Sequence, residues 1–469
     1  MEPLLNVLRE AGQAALELFM LPYFYIAIAF VWWHARLGVT LQRKLFHVRL
    51  YGSLYLTLTR LAGGVVIGLI LSLASLGAGA SFTPETVLFL WIAMGTLALF
   101  RLRYICLAYA AGALGLLQVL SDWTGLQSTP GMLENEIQLL ASIDVPGLLF
   151  MAGILHIAEG LLVRLQGSKL AIPLFLLGKR GKPMGAYALS GAWPIPLLWL
   201  IPAGGGFTLP WTPLFGIGGE VVSWSLMAFP VLIGFSDRTV AFWPEEKARA
   251  SGNQLMIYGV IIAALAAGAQ FWSSLVVVAA LAAFLLHEGL LFISRWRENG
   301  RVPLYSQDGT GVKVLAVLPG TPASEMGLQA GEVIKKVNSA AVRTKEELHA
   351  AMQLQSAFCK IEVVNREGHI KFLQRARYAG EHYQLGLILA PDEGVEFVAA
   401  PRSGTIWQSL QEAGARRFGN SPTMIARKEA KRAEAELAAV AEQELAAEPE
   451  EVIQDPGLPP RASQSRKNP

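Results

Sequence analysis

The feature that most constrains this chain is a succession of apolar runs long enough to cross a bilayer, all lying before residue 295. A spanning helix needs about 20 consecutive, mostly apolar residues. Stretches of that kind lie near 15–33, 61–80, 86–100, 104–120, 146–163, 186–203, 211–235 and 255–294. The last is too long for one helix, and Gly268-Ala269-Gln270 divides it into two spans joined by a tight turn. A polytopic α-helical membrane domain over 1–294, with eight or nine spans, is the expectation. Charge follows the same boundary: residues 1–294 hold 16 Lys/Arg and 14 Asp/Glu, and the remaining 175 residues hold 23 and 22. The second density, about one residue in four, is that of a soluble protein. A single soluble domain is excluded. So is a disulfide-stapled secreted protein, because the two cysteines, Cys106 and Cys359, lie in segments of opposite character. A net charge of +3 gives no argument for nucleic acid.

Basic residues in short loops set orientation. The segment 34–60 carries Arg36, Arg43, Lys44, Arg49 and Arg60 without an acid, and Arg101 and Arg103 fill the next turn on that side. Residues 164–184 add Arg164, Lys169, Lys179, Arg180 and Lys182, while 121–145 reverses the pattern with Asp122, Glu134, Glu136 and Asp144. Arg295, Arg297 and Arg301 follow the final span, which predicts that everything after 294 is cytoplasmic. Met1-Glu2 lacks the basic start of a removable signal peptide, so the first span is expected to be retained.

Ionisable residues inside the apolar runs are costly unless they face other helices or water. His156 and Glu159 are three residues apart and share a helix face. Glu220 lies among Gly216, Gly218 and Gly219, where close helix approach or a local break is expected. One reading is a proton or ion path. The other is a packed polar contact, such as His156 with Glu220, that fixes helix order. The second is favoured because a transporter also shows paired interrupted helices. His287-Glu288 sits near the cytoplasmic end of its span.

The charged half opens with a compact module. Val312, Val314 and Ala316 alternate at the period of a strand, and Pro319-Gly320 is a turn signal. Thr321 reads as an N-cap, with Pro322 in the first helical position and Gly327 closing a short helix. Glu332 to Asn338 reads as a second strand. Thr344 to Glu347 has the form of a capping box and opens a helix through Leu348, Ala351 and Met352. Lys360–Val364 and Ile370–Phe372 flank Arg366-Glu367-Gly368 as a hairpin.

The run V-L-P-G-T-P-A-S-E-M-G-L-Q-A-G-E-V-I-K-K-V-N, Val317 to Asn338, resembles a bacterial PDZ domain, with Glu332 where the family has Asp. The resemblance implies a small β-rich α+β domain over 303–392 that adds an extended peptide to a sheet edge and captures a terminal carboxylate. It also implies a Φ-G-Φ carboxylate loop. No such loop precedes Gly311, but Leu385-Gly386-Leu387-Ile388 fits at the far end, as in permuted bacterial PDZ domains. The peptide site is therefore expected at Leu385, Gly386, Leu387 and Ile388, with Leu348 and Met352 on the opposite wall; a core-strand role for 385–388 is compatible with this. The tail, 393–469, reads as a charged helical stretch over 424–447 and a Pro- and Ser-rich end. Its basic cluster Arg427-Lys428-Lys431-Arg432 could touch anionic lipid.

A membrane domain joined to a PDZ module raises the intramembrane metalloprotease as a rival. That chemistry needs H-E-x-x-H, and His287-Glu288 is followed by Gly289, Leu290 and Leu291. His156-x-x-Glu159 has no following histidine. No serine-protease motif is present either; Gly419-Asn420-Ser421-Pro422 lacks the glycines of an oxyanion pocket. The expectation is a protein with no catalytic residues, no metal and no cofactor.

The whole layout resembles the MinJ family of cell-division topological determinants, across most of residues 1–395 and including Gln42-Arg43-Lys44-Leu45-Phe46-His47-Val48-Arg49 in the first basic loop. The resemblance implies a non-enzymatic adaptor at the cell membrane, enriched at septum and poles. It would join a DivIVA-like polar scaffold to a MinD-like membrane ATPase and other divisome proteins, and restrain FtsZ assembly away from midcell. Membrane lipid and a further copy of the chain are the remaining expected partners. The alternatives kept beside it are a PDZ-containing intramembrane protease or degenerate relative, and a small-solute transporter using Glu220.

Overall fold

The computed structural model describes residues 2–125, 134–178, 181–215, 223–354, 358–376 and 385–392. Glu220 with its neighbouring glycines, and the tail beyond 392, lie outside the described residues.

The first part is α1 (Glu2–Leu18), α2 (Pro22–Phe46), α3 (Ser53–Ala78), α4 (Pro84–Phe100), α5 (Leu107–Trp123), α6 (Glu134–Ala141) and α7 (Val145–Gln166). Three strands follow, β1 (Ile172–Leu177), β2 (Pro183–Phe207) and β3 (Trp224–Thr239), then α8 (Pro244–Ala269) and α9 (Leu275–Asn299). Among the described residues, α2, α3, α7, α8 and α9 are long and apolar enough to cross a membrane, and α4 is a shorter apolar helix. Side chains such as Ile26, Trp33, Leu69, Trp91, Leu285 and Phe292 project from them exposed. An apolar surface of this extent needs a lipid or protein partner.

The eight or nine helical spans are corrected by the two strands. The runs at 186–203 and 211–235 were expected to be helices; the described parts hold β2 and β3, paired antiparallel from Tyr187↔Thr239 to Leu200↔Leu226. Proline decides this. A helix interior loses a hydrogen bond and clashes at each proline, and β2 contains Pro194, Pro196 and Pro202. An open strand edge tolerates them, because it is there that a missing N–H leaves nothing unpaired. β1 covers β2 only from Pro183 to Ala188. Beyond that point α3 lies along the edge. Arg60 donates to the Ser190 carbonyl at 2.9 Å, and the Leu198 N–H donates to Ser72 Oγ at 2.9 Å. Phe82 N–H donates to the Leu200 carbonyl. Between these, Gly64 and Gly68 let the helix backbone approach the Pro194 and Pro196 carbonyls, where a Cβ would collide. Arg60, Gly64, Gly68 and Ser72 form one i, i+4 stripe along this edge, whose ends supply hydrogen bonds to the Ser190 carbonyl and the Leu198 N–H. Arg60 is thus a buried side chain of α3 and not a loop charge. Non-helical backbone at membrane depth survives only when enclosed by protein in this way.

The first expected span, 15–33, also moves. α1 ends at Leu18, and Pro22 at the first helical position starts α2. The long run 255–294 does divide near Gly268-Ala269-Gln270, where α8 ends.

α7 is the buried centre of the body. It packs against α8 through glycines spaced seven apart on both helices: Gly160 opposes Gly252, and Gly153 opposes Gly259, each close to the other's backbone carbonyl. Small residues at a helix–helix contact allow this approach.

The module after α9 is β4 (Val312–Val317), α10 (Pro322–Glu325), β5 (Val333–Val337), β6 (Ala340–Ala341), α11 (Lys345–Gln353), β7 (Phe358–Val364), β8 (Ile370–Ala376) and β9 (Leu387–Leu389). The sheet order is β8-β7-β5-β4-β9, with β6 on β5. Thr344 and Glu347 form the expected capping box at α11. Thr321, expected to cap α10, donates instead to the Leu318 carbonyl at 2.6 Å.

This module is packed onto the membrane body. Glu298, at the end of α9, accepts from Val240 and Ala241 N–H at 2.5 and 2.8 Å and from Lys247 at 3.2 Å. Lys247 also reaches Asp237 at 3.2 Å. Tyr305 is fully buried between Tyr187 and Trp243, with ring centroids 5.3 and 5.5 Å away. Gly185 N–H donates to the Tyr305 carbonyl at 2.9 Å, and Tyr187 Oη donates to the Leu315 carbonyl. Arg366 stacks over Trp243 at 4.3 Å.

Candidate functional site

The residues expected to form the peptide site lie on and before β9, the end strand of the second sheet. β9 pairs antiparallel with β4, Ala316↔Ile388 and Val317↔Leu387, and among the described residues no strand pairs with its other edge. The turn leading into it is fixed from inside. The Leu385 carbonyl accepts from Ala323 N–H in α10, and the Gly386 carbonyl accepts from Leu318 N–H, both at 2.9 Å. Gly386 has φ +78° and lies so close to Thr321 that a Cβ would strike its side chain. Only glycine satisfies both demands.

Leu385, Leu348 and Met352 meet in one buried apolar cluster, and Leu387 packs against it. The residues expected on the helix wall and in the carboxylate loop thus share one core cluster. Beyond β9, burial pushes the Asp392 carboxyl above its ordinary value, and Glu346 in the first turn of α11 pushes the same way. Asp392 and Glu346 are thus near enough for their charges to interact. Ile388 faces the opposite side. It joins Ala316, Leu315, Phe175, Tyr187 and Tyr305 in the seam with the membrane body. Alternation along a strand requires this split. No sequence signal in the module alone told which face of β9 would be covered.

The intramembrane residues also converge, though differently from the expected pairing. His156 is buried on α7, with Glu159 Oε2 4.0 Å from its Nε2. The expected contact with Glu220 lies outside the described residues. The neighbours of His156 come from two other helices: Cys106, which precedes α5, and His287 of α9. Tyr109, Glu288 and Arg103 complete the group. These residues are far apart in sequence and carry no motif, so spacing alone could not assemble them.

A body whose long helices are apolar enough to cross a membrane thus carries, after α9, a small α+β module whose last described strand, β9, pairs with its first, β4. Residues 313–366 match the PDZ domain family. Over 396 residues the chain is 30% identical to the cell division topological determinant MinJ of Bacillus subtilis (strain 168), covering 83% of this chain and 96% of that protein. Probable cell division topological determinants MinJ of Lacticaseibacillus paracasei and Lacticaseibacillus casei (strain BD-II) are each 26% identical over 279 residues, covering 58% of this chain and 72% of theirs. The chain belongs to the MinJ family of cell division topological determinants.

Proposed function

We propose that this protein is a non-enzymatic membrane adaptor in cell-division site selection. Its PDZ domain faces the cytoplasm, on the side where Arg295 and Arg297 end α9 and Arg301 follows it. There it recruits Min-system proteins, a MinD-like ATPase among them, to poles and septum through a DivIVA-like scaffold, and so restrains FtsZ assembly elsewhere. The observation that carries the reading is the Leu385-Gly386-Leu387 turn at the head of the unpaired β9 edge, whose Leu385 shares a core cluster with Leu348 and Met352 of α11. Such an edge accepts an extended peptide as a further strand, and N–H groups of the turn capture a carboxylate. Confinement to one membrane raises the effective concentration of weakly bound partners. Packing of the module onto the body through Tyr305 and Trp243 supports a fixed presentation of that edge rather than a freely tethered one.

The test is to image a C-terminal fluorescent fusion in growing rod-shaped cells, with and without the polar scaffold. Enrichment at septa and poles that disappears with the scaffold is expected. A uniform membrane signal, or enrichment indifferent to the scaffold, contradicts the proposal.

A further inference from the structure

The sequence offered no clustered metal ligands, yet the fold places one thiol and two imidazoles from three separate segments together. Ligand atoms of Cys106, His156 and His287 all lie within 4.8 Å of one another. Cys106 Sγ is 3.5 Å from His156 Nε2. A tetrahedral zinc centre, with its usual bond lengths to sulfur and nitrogen, separates those atoms by about 3.5 Å.

Both histidines are held in the tautomer a metal requires. His156 Nδ1 is 2.7 Å from the Ala152 carbonyl oxygen, which can only accept, so Nδ1 carries the proton and Nε2 presents its lone pair. Tyr109 Oη donates its one proton to Glu288 Oε1 at 2.8 Å. Its 2.8 Å contact with His287 Nδ1 therefore has the imidazole as donor, which again leaves Nε2 unprotonated. Glu288 is anchored in turn by Arg103 at 2.6 Å. Tyr258 packs its ring against both imidazoles, at 4.9 and 5.4 Å. An imidazole whose second nitrogen donates to a carbonyl, or to a carboxylate-linked group, is the usual support of a metal-bound histidine.

We propose that Cys106, His156 and His287 bind a zinc ion, with Glu159, three residues after His156, supplying the fourth donor. A thiolate, two imidazoles and a carboxylate suit zinc better than harder ions. With four protein donors the site is closed, and its role is structural. It ties the start of α5 and the middle of α7 to α9, the helix that leads into the PDZ domain. Binding releases the Cys106 thiol proton and leaves the metal's oxidation state unchanged.

The full-length protein is purified in detergent and its metal content measured by mass spectrometry. About one zinc per chain is expected, retained in Cys359→Ser and at least tenfold lower in Cys106→Ser and His287→Gln. Should those two variants fail to purify, cobalt reconstitution of the wild-type protein decides. A sulfur-to-cobalt charge-transfer band with intense tetrahedral visible bands, displaced by zinc, is expected. Zinc content indifferent to Cys106→Ser overturns the proposal, as does a metal-free protein that develops no thiolate–cobalt band.

Discussion

The membrane body and the PDZ domain both rest on antiparallel strands, but their strands are specified in different ways. In the PDZ domain, β4 and β5 are short and bounded by Pro-Gly and Thr-Pro signals, and β4 departs from alternation where Leu315 and Ala316 are also buried in the seam. In the membrane body, β2 has no simple alternation, because it is enclosed by helices on several sides. Hydropathy there reports the surroundings of a segment and says nothing of its backbone. Proline spacing carries the missing information. Residues two apart share one strand edge, so Pro194 and Pro196 leave the edge facing α3 with fewer donors to satisfy.

The contrast can be broken or sharpened by substitution, beginning with the largest effect. Gly252→Leu forces a side chain into the carbonyl of Gly160, where two helix backbones touch. Overpacking of that kind costs about 3 kcal/mol. Loss of a monodisperse detergent-solubilised peak is expected. Unchanged elution and melting would mean that α7 and α8 are not so close.

Tyr305→Ala empties the seam between the two regions, at about 3 kcal/mol. Limited proteolysis should then cut within residues 300–311 faster than in the wild type. Tyr305→Phe removes only a buried hydroxyl with no hydrogen-bond partner among the described residues, and should leave protection unchanged or raise it. Equal sensitivity of the two variants would argue that the ring does not hold the seam.

Pro196→Ala separates strand from helix by sign. In a strand facing α3 it introduces a buried N–H without a partner, lowering stability by about 2 kcal/mol. In a helix the same change would raise stability by about 3 kcal/mol. Thermal melting in detergent distinguishes the two. The smallest effect is confined to the PDZ side. Thr344→Ala removes the cap of α11, costing about 1 kcal/mol, and hydrogen exchange should rise in the first turn of α11 without a change in the membrane body.

How much was legible follows the same division. The capping box at Thr344 and Glu347, the β4 and β5 strands and the meeting of Leu385 with Leu348 and Met352 are local or motif-borne, and a sequence displays them. The wall of β9 that Ile388 forms against Tyr187 and Tyr305 depends on a docking surface contributed by another region. The grouping of Cys106, His156 and His287 depends on which faces of α5, α7 and α9 meet. Gly112 of α5, close against Ala280 and Phe284 of α9, belongs to that contact, but a lone glycine in an apolar run does not name its partner helix.

The central claim is that the edge of β9 recruits partners at the division site. Gly386→Glu in the full-length chain tests it most directly, because φ +78° and the Thr321 side chain leave no room for a larger residue. Septal enrichment of the fluorescent fusion should fall to the level of the surrounding membrane while the amount in the membrane fraction stays constant. Wild-type enrichment in that variant, at equal membrane abundance, would contradict the account.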